Sequence, residues 1–141
     1  MNLKNYFRDK ATFAYLLLVI CLALHVMDEA IHHFLDFYNP LALKLREYLI
    51  FFPPTFSFQI WITGLCLAIL ILLLLAPFVY SRNKRMIPAA KIFAVIMILN
   101  GLGHIAASIY YGKIMAGMVT SPFLIYFSVV FIFQIRKKRP S

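Results

Sequence analysis

The sequence predicts an all-α integral membrane protein: a four-helix bundle with a short amphipathic interfacial helix between the first two spans. Three observations carry this. Hydrophobic residues make up 63% of the 141 residues and charged residues 13%, with a mean hydropathy of +0.85. A soluble domain of this size buries only about two-thirds of its chain surface and cannot hide that much apolar side chain. The apolar residues fall into four runs, each near the roughly 20 residues that cross a bilayer. The basic residues, which give a net charge of +9, gather at the ends of those runs, where Lys and Arg anchor helices at anionic headgroups. This placement points to membrane lipids rather than nucleic acid as the partner. The length allows one domain, over 1–141.

The first span is expected from about Ala11 to Phe34. Its cleanest stretch, Ala11 to Leu24, follows Lys4, Arg8 and Lys10, which is also the layout of a signal peptide. No small-x-small cleavage site follows and the helical periodicity continues, so a retained span is expected. Asn39-Pro40 opens the longest loop and Pro53-Pro54 closes it. Between them Leu41, Leu45, Tyr48, Leu49 and Phe52 recur at helical spacing opposite Lys44 and Glu47. That spacing predicts a helix lying on the outer surface, as an anchor or as a lid over a site below. The second span is expected over Phe56–Tyr80 and is the most uniformly apolar. The third covers Ile87–Tyr111, with Pro88 in its first turn, where proline is tolerated. The fourth covers Ile114–Ile135, with Pro122 predicted to kink it. Cys21 and Cys66 lie inside apolar runs and read as small core residues, not as a disulfide or a metal pair. Trp61, Tyr110 and Tyr111 read as interfacial belt residues.

Charge sets the orientation. Lys4, Arg8 and Lys10 precede the first span, Arg82, Lys84 and Arg85 link the second to the third, and Arg136, Lys137, Lys138 and Arg139 end the chain. The other two loops hold only Lys44, Arg46 and Lys113. Both termini are therefore expected in the cytoplasm.

The chemistry is concentrated in the first span. Three of the five acids (Asp28, Glu29, Asp36) and three of the four histidines (His25, His32, His33) lie in it or just beyond. An ionisable group inside a bilayer costs on the order of 3 kcal/mol or more, so such a cluster is a candidate site. Counted from His25, Asp28 is three on, Glu29 four and His32 seven, which places them on one helical face. Asp36 extends the stripe outward, and His33 falls beside it. In the third span Asn100 and His104 share a face, continued by Ser108 and flanked by Gly101, Gly103, Ala106 and Ala107, small residues that let helices approach. His25 and Asn100 lie at similar depth along spans of the same direction. One polar pocket is expected, in the outer half of the membrane. Thr120, Ser121 and Ser128 are further candidates to line it.

Imidazole and carboxylate at these spacings suit a single divalent Zn, Fe or Mn. His25, Glu29 and His104 would hold it, with His32 or Asp28 completing the set. Glu29 and His32 have the Glu-x-x-His spacing of di-iron bundles, but the other spans supply no further carboxylates, so a two-metal site is not expected. Without metal, the adjacent acids Asp28 and Glu29 favour a state in which one keeps its proton. A neutral acid beside a histidine forms a general acid–base pair. Buried His and Asp can also simply pair and hold helices together.

His25-x-x-Asp28-Glu29 followed in a later span by Asn100-x-x-x-His104 resembles the HXXEE domain family, small four-span membrane proteins. Tyr111 to Thr120, with Ala116-Gly117 and Thr120, is similar to that family's Tyr…Pro-Gly…Thr segment. The resemblance covers roughly Leu17 to Phe133. Asp28 stands where the family has Glu, keeping the charge on a shorter arm, and Ala116 where it tends to have proline. The resemblance implies functional histidines, acids and asparagine, and no particular reaction.

Two functions of different class follow. One is an enzyme acting on a lipophilic small molecule or lipid, with His25, Asp28, Glu29, Asn100 and His104 as its catalytic set and metal-assisted or acid–base chemistry. The other is a small proton-coupled transporter or lipophile-binding protein using the same acidic pocket. Four spans with a Glu in the first resemble the small multidrug transporters in outline, but the added His, Asp and Asn exceed what such a carrier needs. A third reading is an assembly subunit whose polar stripe pairs with another chain. A homodimer fits a chain of this size under each.

Overall fold

A computed structural model describes residues 8–48 and 53–137. Among these residues there are five helices and no strand. Helix α1 runs Lys10–Ile31, α2 Phe34–Leu45, α3 Phe58–Tyr80, α4 Met86–Tyr111 and α5 Ser121–Arg136. Three of them, α1, α3 and α4, are long and apolar enough to cross a membrane, as expected of a membrane protein.

Helix α1 is the core of the bundle. Asp9 caps it, accepting from the backbone N–H and the hydroxyl of Thr12 at 3.0 and 2.6 Å. Arg82, in the turn after α3, reaches the same carboxylate at 3.1 Å and ties the α3–α4 turn to the start of α1. Tyr15, Leu18 and Val19 are fully buried with Leu124 and Phe131 of α5. Tyr15 also donates to the Leu72 carbonyl at 3.0 Å. Of the apolar window in each long helix, 56% is buried in α1 against 11% in α3 and 22% in α4. Leu67, Ile71, Leu74 and Phe78 of α3 face outward, an apolar surface of the kind that lipid covers and water does not. α1 packs closely on α5 and α3, α4 packs on α5, and α3 and α4 touch only sparsely.

Several expectations need correcting. The first span does not continue to Phe34. It ends at Ile31, and His33, in the left-handed region at φ 54°, turns the chain into α2. The amphipathic helix does not begin at Asn39-Pro40 but at Phe34, with Pro40 inside it. Asn39 is instead a clamp: its amide donates to the Phe56 carbonyl at 2.9 Å and accepts from the Phe56 N–H at 3.1 Å. Arg46 adds a bond to the Pro53 carbonyl, so α2 is latched to the segment that leads into α3. Leu49 and Phe52 lie outside the described residues. The fourth span is not helical from Ile114. Helix α5 starts at Ser121, and its 16 residues reach about 24 Å at 1.5 Å each. Pro122 therefore does not kink a helix: it sits in the first turn, where its missing N–H costs nothing. Cys21 is buried, but Cys66 faces outward, so it is not a core residue. Trp61, in the first turn of α3, is buried against Phe34, whereas Tyr110 is exposed. Of the small residues on α4, Gly101 does admit a close approach, since a Cβ there would lie 2.8 Å from Ile125 and 3.1 Å from the Ser121 carbonyl. Gly103 faces open space.

Candidate metal and acid–base centre

Helix α1 contributes His25, Asp28 and Glu29, all buried. Helix α4 contributes Asn100 and buried His104, and the segment 112–120 folds back between α4 and α5 to close the site. Two serines hold the backbone of that segment in place. The Met115 N–H donates to the Ser108 hydroxyl at 3.1 Å. The Gly117 carbonyl accepts from the Ser121 N–H and hydroxyl at 3.1 and 2.6 Å. Gly117, at φ 79°, is where the chain passes the two histidines. A Cβ there would stand 2.7 Å from His104 Nδ1 and 2.9 Å from His25 Cε1, so only glycine fits both the conformation and the space.

The outward bonds of the two rings fix their tautomers. His104 Nδ1 lies 2.6 Å from the Ala116 carbonyl oxygen, which can only accept, so Nδ1 carries the proton. A proline at 116 would supply the same carbonyl. Thr120 has one hydroxyl proton and donates it to Asp28 Oδ2 at 2.9 Å. Its oxygen is then free to accept from His25 Nδ1 at 2.8 Å. Both rings thus carry a proton on Nδ1 and turn Nε2 inward. His104 Nε2 is 3.0 Å and His25 Nε2 3.7 Å from the same Glu29 oxygen, Oε1, and the rings meet edge to face at 4.8 Å. Asn100 Nδ2 donates to His25 Nε2 at 3.0 Å. A lone-pair nitrogen and a carboxylate oxygen 3.0 Å apart need a cation between them, either a proton or a metal.

The donor set fits a metal. Ligand atoms of His25, Glu29 and His104 all lie within 4.8 Å of one another. Ligands about 2.1 Å from a tetrahedral ion stand about 3.4 Å apart, and the separations of 3.0 and 3.7 Å to Glu29 bracket that value. Hydrogen bonds from the far ring nitrogens to a carbonyl and to a carboxylate-backed hydroxyl are the orienting contacts that metal-bound histidines make.

The structure thus brings together His25, Glu29, His104 and Asn100 and leaves other candidates outside. His32 does not join them. It caps the end of α1, half exposed, and its Nδ1 turns back to Asp28 Oδ1 at 2.8 Å and the Asp28 carbonyl at 2.9 Å. Asp28 stands behind His25 rather than in the centre. Asp36 does not extend the α1 stripe, because the break at His33 places it on α2, where it is exposed. Ser108 holds the 112–120 segment. The Ser121 and Ser128 hydroxyls bond back to the carbonyls of Gly117 and Leu124 and do not face the site. Sequence reasoning did not assign the orienting roles of Thr120 and the Ala116 carbonyl, although the Ala116-Gly117…Thr120 stretch marked the segment.

Two cavities adjoin the centre. The larger, about 410 Å³, is lined by His32, His33 and His104 and by residues of α2, the end of α4 and the 113–116 stretch. The smaller, about 170 Å³, is lined by Glu29, Trp61 and Phe58. Phe34 forms a wall of both, 5.4 Å from the His104 ring and 6.0 Å from Trp61.

A family model described as a protein of unknown function with HXXEE motif matches residues 16–132. No curated protein and no solved structure matches the chain.

Proposed function

The chain belongs to the HXXEE family, and on that premise we propose that it is a multi-pass membrane enzyme. Its centre, His25, Glu29 and His104, binds one divalent Zn, Fe or Mn and acts on a lipophilic small molecule or lipid. The observation that carries this reading is the convergence of two Nε2 atoms on one Glu29 oxygen, with both Nδ1–H groups held outward. Two imidazoles and one carboxylate with open positions are the donor set of catalytic zinc and of non-haem iron. A metal so held supplies a Lewis acid and a water that ionises near neutral pH. The chain's own residues do the rest. Ala116 and Thr120 orient the rings, Asp28 backs Thr120, Asn100 caps the His25 lone pair until an ion takes it, and Phe34 covers the centre.

The topology belongs to the same proposal. The 113–120 stretch and α5 together would make a fourth pass, its non-helical part buried at Ala116 and Gly117. The distribution of basic residues supports both termini in the cytoplasm and the centre in the outer half of the bilayer.

Elemental analysis of chelator-free, detergent-purified protein tests the reading. Near-stoichiometric Zn, Fe or Mn that is lost in Glu29→Ala and His104→Ala is the expected result. Metal-free wild type overturns it. A second reading, a proton-coupled carrier, is favoured by the hydrogen-bond chain from buried His25 through Thr120 and Asp28 to half-exposed His32. Substrate-driven proton flux in vesicles by metal-free protein would support that alternative.

A further inference from the structure

The larger cavity narrows the substrate class, an inference that rests on the reading of the centre given above. Its walls are Phe34, Phe37, Tyr111, Ile114 and Met115, with His104 among the lining residues. Phe37 of α2 and Tyr111 of α4 meet edge to face at 5.4 Å across the cavity's two sides. Size limits what enters. Ligand pockets run about 300–1,000 Å³, so about 410 Å³ admits one chain or a small ring system and not a two-chain lipid. Charge limits the head group. Among the lining residues the fixed charges are Asp36 and Lys113, one of each sign, beside the imidazoles of His32, His33 and His104. Asp36 lies in the first turn of α2 and Lys113 just past the end of α4, each at the helix end that suits its sign. Neither sign is in excess, so a ligand with net charge would lose its hydration without gaining a surplus partner.

We propose that this cavity binds an uncharged, single-chain amphiphile with an oxygen head group, the oxygen directed to the exposed imidazoles of His32 and His33 and the chain lying among Phe34, Phe37, Ile114 and Met115.

Trp61 is the only tryptophan of the chain and rests against Phe34, so it reports on occupancy. The experiment is quenching of Trp61 fluorescence in the detergent-solubilised full chain, with and without added zinc. The probes are a brominated long-chain alcohol, the matching brominated acid and a brominated phosphatidylcholine. The alcohol is expected to quench saturably, about tenfold more tightly than either of the others. Ala107→Phe, which fills the cavity, and Phe37→Ala, which removes a wall at the protein surface, should each weaken the alcohol about tenfold with metal content unchanged. Equal quenching by all three probes, or alcohol quenching indifferent to both substitutions, overturns the proposal. Metal binding without selective quenching would sink the amphiphile and leave the centre standing. Selective, substitution-sensitive quenching in a protein that binds no metal would uphold the pocket and remove the metal reading.

Discussion

From Lys10 to Leu22, α1 meets its neighbours through Tyr15, Leu18 and Val19, packed against α5 and α3, with a polar bond from Tyr15 to the Leu72 carbonyl. From His25 to His32 the same helix meets them through two histidines, two acids and the hydroxyl of Thr120, nearly every polar atom bonded to a named partner. Both halves are buried, but they are held by different physics. Apolar packing is non-directional and tolerates exchanges that keep volume. A buried polar network is directional, and each partner removed leaves another unpaired where water cannot replace it. The first half is therefore built as a scaffold, and the second as a device that the scaffold keeps in register.

Gly117→Ala should break the second half most severely. It forces a Cβ into both histidine rings and an L side chain into a left-handed backbone, at a cost of about 3 kcal/mol in thermal or denaturant unfolding. Gly112→Ala is the control, since its φ of 62° is similar but nothing lies within 4 Å; about 1 kcal/mol is expected. Equal costs for the two would remove the steric argument. Asp28→Asn should weaken metal binding 10–100-fold in chelator competition, as loss of an orienting contact does, and Thr120→Val should match it. Tyr15→Phe sharpens the contrast from the scaffold side: about 1 kcal/mol of stability lost with one hydrogen bond, and metal affinity unchanged. The smallest effect belongs to His32→Ala, whose ring faces away from the centre. It should alter metal affinity less than about twofold, and a larger loss would place His32 among the ligands after all.

Much of this was legible in the sequence, for reasons the residues make plain. Helical spacing put His25 and Glu29 on one face, and counting from the span ends put Asn100 and His104 level with them, because a helix keeps a fixed rise. What the spacing could not show was where each helix stops. Nothing in His32-His33 signals a break: histidine seldom takes a positive φ, and neither glycine nor proline marks the place. Extending the helix through it carried Asp36 onto a stripe it does not share, whereas His32, before the break, stays beside Asp28. The segment from Ile114 to Thr120 is largely apolar, so it read as helix, and Gly117 was marked only by its place in the family-like Ala116-Gly117…Thr120 stretch. Asn39-Pro40 read as a stop, yet Pro40 is accommodated inside α2 while Asn39 clamps Phe56. The contact of Trp61 with Phe34 was not legible because Phe34 was placed at the far end of a span rather than at the start of α2.

The account turns on two imidazoles and one carboxylate sharing one ion. X-ray absorption at the zinc edge of the zinc-loaded full chain tests this most directly. Two imidazole nitrogens at about 2.0 Å with oxygen completing the shell are predicted, falling to one imidazole in His104→Ala. A shell containing sulfur, or one without histidine, would contradict it.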